Sequence, residues 1–377
     1  MNTAPPRTNS LRDIERLVTD ENIQVALDAI NSCNFSADEY GEKEFLLGYA
    51  FKISGDKREA ITHYLNAALS SNSSQVAASE LLLMLAEYGC VREARYFYKA
   101  FMETIQKGDR SNLFDINSLN SIVNSYASRK IVSIHQPSYL PWLGYMHKIF
   151  YSDKFVIYDE AEFSKKSFIK RTLIRKQSKA EATTYLTIPT LKHSDFIKIG
   201  DIKIDNLQNW REQHLRKISA AYSKTEFFKT VYPEIEDAFQ ETIGSGSLVE
   251  VTNVLNQRLM KLLNINKEIF LSSDLLKCED CSSAHEKNMK MCQMLGGSVY
   301  FSGSVARDYQ EGEPIPNGMS LIYQDIWNYL EKNPYLTKEN FVNGLSTLDA
   351  LFYAGPEQIT ELFEEYDNPS NNHIFFD

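Results

Sequence analysis

An α/β domain with a largely parallel sheet and helical additions, preceded by an all-α helical-repeat segment, is the fold this sequence predicts. Three observations carry the prediction. Apolar residues recur at an offset of 34 through the first hundred positions. Beyond residue 130, short β-branched runs alternate with helical stretches. The length of 377 residues suits two domains better than one.

The repeat comes first in the chain. Ala60 and Ala94, Gly55 and Gly89, Leu47 and Leu81, and Tyr64 and Tyr98 all share the offset of 34, and a further step back sets Ala26 under Ala60 and Leu17 under Phe51. Small residues at fixed places let paired helices approach, while large ones fill the space between neighbours. The run Leu47-Gly48…Phe51…Gly55…Ala60…Tyr64…Ala67 resembles the tetratricopeptide pattern in order and spacing. For residues 1–128 that resemblance implies stacked helix pairs, either packed on the chain's own second domain or offering a groove to a protein partner. A further helix is expected over Asp115–Ala127, with Ser128-Arg129-Lys130 closing the segment.

The α/β domain is expected over 129–356. Lys130–His135 and Phe155–Tyr158 read as strands, followed by Thr184–Ile188, Ile197–Ile204 and, after a mainly helical stretch over 223–296, Ser298–Phe301. Leu143–Tyr151 and Trp210–Tyr222 read as helices between them. The acidic, then Asn/Ser-rich segment 357–377 reads as a loosely ordered tail.

Composition narrows the function. A net charge of −10 argues against nucleic-acid binding, which needs a basic surface to displace counterions. Residues 151–230 nevertheless carry 16 basic and 10 acidic side chains, against 12 and 17 over 1–128. A basic stretch in an acidic chain suits a small anion, or is simply a solvated lysine-rich face. No run of about 18 apolar residues is present, so no membrane span is expected. The first residues lack a basic and an apolar region, and five cysteines is an odd count, so a reduced, cytoplasmic setting is expected.

The most informative stretch is Ile134-His135-Gln136-Pro137-Ser138-Tyr139-Leu140-Pro141-Trp142-Leu143-Gly144-Tyr145-Met146-His147-Lys148-Ile149. A strand ends in His-Gln, a proline-fixed loop follows, and a helix opens near Leu143-Gly144. Ligands of open α/β sheets sit at the carboxyl ends of strands, and a helix start there favours an anion. His135 is a candidate acid/base. Asp159 is a candidate general base or metal ligand, or else an N-cap. Lys165, Lys166, Lys170 and Arg171 could clamp a diphosphate, while Ser346-x-x-Asp349 reads as a capping box.

The HQPxYLPWLGY…KI string, with Asp153–Asp159, Trp210 and His214, Tyr300–Gly303, Tyr309 and Leu345–Phe352 following in order, resembles the WbqC-like family over about 130–356. Members are known chiefly from O-antigen and related surface-sugar gene clusters. The resemblance implies an enzyme transferring an acyl or aminoacyl group onto a nucleotide-linked sugar or sugar amine, with His135 and Asp159 catalytic. Gln136, Tyr139, Gly144, Lys148, Arg171, Ser302, Gly303, Arg307 and Tyr309 would bind the substrate. It names no cofactor beyond a nucleotide or acyl donor, and no metal is expected. No GxSxG motif is present, which favours direct transfer.

Two alternatives stand beside this reading. Strand–loop–Pro–x₂–Gly–helix with the distant Ser302-Gly303-Ser304-Val-Ala-Arg307 resembles the HIGH-type nucleotidyltransferases and ATP-dependent ligases, although Leu143-Gly144-Tyr145 stands where those have x-Gly-His. The other is a non-catalytic scaffold that recruits glycan enzymes through its repeats. Cys278-x-x-Cys281-x₃-His285-x₆-Cys292 has knuckle-like spacing, but the capping box Ser283-x-x-Glu286 puts Cys292 in mid-helix, against zinc.

Overall fold

The computed structural model describes residues 11–20, 23–70, 75–107, 120–121, 129–164, 167–176, 183–276, 281, 283–310, 312–324, 326, 330, 342 and 344–366. Two compact units divide the chain. One runs to Arg129 and takes in Ser320–Tyr323, and the other holds the remaining described residues.

The first unit is helical: α1 (Leu11–Asp20), α2 (Ile23–Ser32), α3 (Tyr40–Ser54), α4 (Lys57–Leu69), α5 (Gln75–Glu87) and α6 (Val91–Lys107). This is compatible with the helix pairs read from the 34-residue offset. Gly55 and Gly89 hold φ of 86° and 84° in the α3–α4 and α5–α6 turns, a left-handed conformation that glycine adopts without steric cost. A Cβ on Gly48 would stand 2.8 Å from the Tyr64 ring, which is the close approach that its small size permits. Ala26, Ala60 and Ala94 are all buried. The expected helix over Asp115–Ala127 lies almost wholly outside the described residues.

The second unit holds an α/β sheet, with β1 (Lys130–His135), α7 (Leu143–Tyr151), β2 (Lys154–Ile157), β3 (Arg171–Arg175), β4 (Thr183–Thr187), α8 (Trp210–Tyr222), α9 (Phe228–Glu241), α10 (Leu248–Leu262), β5 (Glu268–Leu271), α11 (Ser272–Leu275), α12 (Ala284–Met294), β6 (Gly297–Gly303), α13 (Arg307–Gln310), α14 (Thr347–Tyr353) and α15 (Pro356–Tyr366). Within this unit the sheet runs β5-β2-β1-β6, and β1 pairs in parallel with β2 and β6, as β2 does with β5. Ile131–Ile134 are buried, as expected of a strand covered on both faces.

Several elements differ from the sequence expectation. The Thr184–Ile188 run does form a strand, but it pairs antiparallel with Arg171–Arg175 in a separate two-stranded sheet. Ile197–Ile204 forms no strand; it makes a 3-10 turn at Ile199–Asp201 and isolated bridges from Lys198, Lys203 and Ile204. Strand β5 was hidden inside a stretch of helical composition. The supposed tail begins as α15, whose Ile359, Leu362, Phe363 and Tyr366 are buried, so its apolar spacing outweighs its acidic composition; residues 367–377 lie outside the described set. No helix among the described residues is long and apolar enough to cross a membrane.

Candidate functional site

Strands β1 and β6 are parallel neighbours, yet the chain leaves β1 through α7 to reach β2 on the other side. Such a reversal opens a crevice beyond the carboxyl ends of the two strands, where open α/β sheets bind ligands. A cleft of about 540 Å³ lies there, lined by Ile134 and His135 at the end of β1, Gln136 after it, Lys148 from α7, Ser302 and Gly303 at the end of β6, and the start of α12.

The HQP loop divides into two parts. His135 and Gln136 face the cleft, whereas Ser138–Trp142 are built into the surrounding core. Asn256 Nδ2 donates to the Ser138 carbonyl at 2.9 Å, and Thr172 Oγ1 and Ser346 Oγ both donate to the Leu140 carbonyl at 2.8 Å. These bonds hold Leu140 at φ 42°, a strained value for a residue with a branched side chain. The Tyr139 hydroxyl meets His214 Nδ1 at 2.8 Å, and burial drives the His214 pKa down to about 3, so that the neutral ring accepts this bond. Gly144 does not approach a ligand either: a Cβ there would fall 1.9 Å from the Trp142 ring.

Lys148 is 3% exposed, and its Nζ donates to the Ile134 carbonyl at 3.0 Å. Burial lowers its pKa to about 7, because a low-dielectric surrounding disfavours the charged form. His135 Nδ1 stands 3.0 Å from the Gln136 carbonyl, which can only accept, so Nδ1 carries the proton and Nε2 the lone pair. The ring has the solvent area of an exposed residue yet lies deep among protein atoms, as a group in the wall of a concave site does. Burial first and the Lys148 charge second lower its pKa to about 4. Of the two bases, Lys148 is the better matched to neutral pH.

The cleft thus brings together His135, Gln136, Lys148, Ser302 and Gly303. It does not include Asp159, whose carboxylate accepts from Ser272 Oγ, Ser273 N and Ser273 Oγ at 2.7, 3.0 and 2.7 Å at the start of the distant α11, so it is not the N-cap of the segment that follows it. Arg171 lies over the Tyr185 ring at 4.6 Å across the antiparallel pair β3–β4 and does not line the cleft. Lys170 donates to Thr190 Oγ1, while Lys165 and Lys166 lie outside the described residues. Arg307 follows β6 on α13 without lining the cleft, and the Tyr309 side chain is not among those described. The helix start on the cleft is that of α12, not that of α7 as the sequence suggested.

Sequence reasoning missed Tyr158, Asn288, Tyr300 and Glu313, and treated His285 only as a possible zinc ligand. Tyr158 and Tyr300 fall in stretches that carry the family resemblance, whereas Asn288 and Glu313 reach the cleft only through the tertiary fold. His285 Nε2 donates to the Pro314 carbonyl at 3.2 Å, and the Cys292 thiol is fully buried with its pKa pushed up to about 12. Cys278 lies outside the described residues. Metal analysis of protein purified without chelator is expected to show far less than one zinc per chain, and stoichiometric zinc lost on Cys281→Ser would refute this.

A larger groove of about 720 Å³ lies between α8 and α9. Its polar groups are already committed to one another: Arg211 donates to Thr242 and Asn206, Gln208 to Asp205, and Asn209 to Glu212. Chemistry therefore points to the smaller cleft.

The model of the WbqC-like protein family matches residues 136–361. The chain is 26% identical over 243 residues to the uncharacterized protein Rv1507c of Mycobacterium tuberculosis, a match covering 60% of this chain and 95% of that one. Among solved structures, full-length LpoA of Haemophilus influenzae aligns over 95% of this chain and 80% of that one at 10% identity, with a TM-score of 0.18 that supports no structural argument.

Proposed function

This chain belongs to the WbqC-like protein family, which is associated with polysaccharide-related enzymes, and we propose that it transfers an acyl or aminoacyl group onto the amine of a nucleotide-linked sugar in surface-polysaccharide assembly. The observation that carries the reading is Lys148, a buried amine in the wall of the cleft whose pKa of about 7 leaves it half deprotonated at neutral pH.

In this reading the sugar amine attacks the carbonyl carbon of an activated acyl donor, such as a thioester or acyl phosphate. The new N–C bond forms from the nitrogen lone pair, and the bond to the leaving group breaks with its electron pair. Neutral Lys148 accepts the proton released by the amine. Gln136 and Ser302 supply hydrogen-bond donors for the carbonyl oxygen as it gains charge. His135, held neutral, offers its Nε2 lone pair to a sugar hydroxyl and so orients the acceptor. Both substrates are cytoplasmic in this scheme.

The test is incubation of the protein with uridine diphosphate amino sugars and acyl donors, with acylation followed by mass. The rate should rise with pH through about 7 and level off above it, since Lys148 acts in its unprotonated form. His135→Ala should stay folded and weaken nucleotide-sugar binding about tenfold, the value of one good hydrogen bond to a charged or oriented partner. Absence of any nucleotide-sugar binding by the wild-type protein would remove this reading.

Strand order favours one other chemistry. Numbered in chain order, the four parallel strands of this unit's sheet read 3-2-1-4, the arrangement at the centre of the doubly wound nucleotide-binding folds, which suits nucleotidyl transfer. Against it, Tyr145 replaces the second histidine of the HIGH motif, and its ring packs edge-on against His135 at 4.9 Å. Pyrophosphate release from a nucleoside triphosphate, without acyl transfer, would identify this second chemistry.

A further inference from the structure

We propose that the N-terminal end of α12, rather than the basic run 165–171, is the diphosphate subsite of the cleft, and that it takes the phosphates of a nucleoside diphosphate sugar. The proposal rests on the nucleotide-sugar reading above and assigns the phosphates a place within it.

Helix α12 has eleven residues and begins at the cleft, with Ser283, Ala284, His285 and Asn288 all in the wall. Ser283 in extended conformation caps it, accepting from Glu286 N at 3.1 Å. That bond occupies one first-turn N–H, and the N–H groups of the first helical positions have no partner within the helix. With the positive end of the helix dipole they form an anion site of the kind that binds phosphate.

A helix start alone would not suffice, but His285 supplies an independent sign of a ligand. It is 7% exposed and lines the cleft. Its Nε2 is tied to the Pro314 carbonyl, while its Nδ1 is buried with no hydrogen-bond partner among the described residues. Because Nε2 holds the proton, Nδ1 presents a lone pair. Asn288, one turn further along the same helix face, repeats the pattern: its Nδ2 donates to the Tyr300 hydroxyl at 3.2 Å and its Oδ1 has no partner among the described residues. Both atoms are closed to solvent in the ligand-free cleft, and a buried acceptor left unpaired is costly, so a sugar hydroxyl toward which the two side chains turn on binding would satisfy them. A helix start that favours phosphate, flanked by two acceptors that need hydroxyls, matches a sugar joined to a diphosphate. Glu313, exposed at the rim, opposes an anion only weakly because solvent screens it.

The position of Ala284 allows a clean test. It is the first helical residue, where proline removes one N–H yet fits the helix, and extended Ser283 already has the conformation that a following proline requires. Ala284→Val keeps the N–H and adds bulk, so it is the reference for the loss. Affinity for inorganic pyrophosphate and for uridine and guanosine diphosphates would be measured by calorimetry on the full chain, with circular dichroism to check folding. The expected result is at least about tenfold weaker pyrophosphate binding by Ala284→Pro than by Ala284→Val, in line with a charge-assisted bond. Equal binding by the two variants overturns the proposal, as does a comparable loss on Arg171→Ala without one on Ala284→Pro. Wild-type protein that binds nucleoside diphosphates but loses nothing in Ala284→Pro leaves the transferase reading standing and removes only the subsite. Wild-type protein that binds neither pyrophosphate nor any nucleotide removes both.

Discussion

Lys148→Met is expected to raise thermal stability at pH 6 while abolishing acyl transfer. Lowering a lysine pKa from 10.5 to about 7 corresponds to roughly 4–5 kcal/mol withheld from the folded state at low pH. The unfolded chain keeps this proton up to the ordinary lysine value, whereas the folded chain releases it above about 7. Between those limits the unfolded state binds more protons, so wild-type stability climbs with pH. Methionine fills similar space without a charge, and the price is the one bond to the Ile134 carbonyl, about 1 kcal/mol. A net gain of about 3 kcal/mol below pH 7 should therefore fade as pH approaches 10. Denaturant melts of both proteins at pH 6, 8 and 10 decide the matter. A variant that is less stable than wild type at pH 6 would show that the ammonium is well paired, and Lys148 would then lose its claim to be the base.

Removing Asp349 should cost far more than the loss of a helix cap. The sequence suggests a capping box at Ser346-x-x-Asp349, and Ser346 does accept from the Leu348 N–H at 3.3 Å. The Asp349 carboxylate instead takes both arms of Arg175, from Nε at 2.8 Å and Nη2 at 3.2 Å, and accepts from the Tyr222 hydroxyl at 3.0 Å. Only 16% of the Arg175 side chain and 13% of that of Asp349 are exposed. Asp349→Ala leaves the guanidinium buried without its counter-charge, and the expected loss is about 3–5 kcal/mol. A double variant, Arg175→Met with Asp349→Leu, should recover most of it, because the uncompensated charge is then gone as well. A loss under about 1 kcal/mol in the single variant would mean that the pair is solvated and only capping remains.

These two residues show where sequence reading reached and where it stopped. The family string, strand β1, helix α7 and the alternation that gives the parallel sheet follow from local chemistry. The β-branched run of β1 is buried on both faces as a central strand must be, and a 34-residue recurrence of small and large residues points to stacked helices before any fold is known. His135 and Gln136 were legible because they end a strand beside a loop. Which half of the HQP loop faces the cleft was decided by the tertiary fold. Ser138–Trp142 carry the more distinctive side chains, but Asn256, Thr172 and Ser346, from distant parts of the chain, draw them into the core.

The same limit explains Asp159 and Arg171. Each has a residue type suited to catalysis or phosphate binding, and each found a partner remote in sequence, Ser272 and Ser273 for the one and the Tyr185 ring for the other. Conversely, His285 and Asn288 sit in a stretch that reads as an ordinary capped helix, and reach the cleft only because β6 pairs beside β1 and brings α12 with it. By itself the sequence determined the repeat helices, strands β1, β2 and β6 and helices α7 and α8, since these depend on periodicity and neighbours a few residues apart, but not β5, α15 or the 197–204 segment. Tertiary structure alone decided which polar side chains are free to act, since that depends on which distant donors and acceptors arrive first.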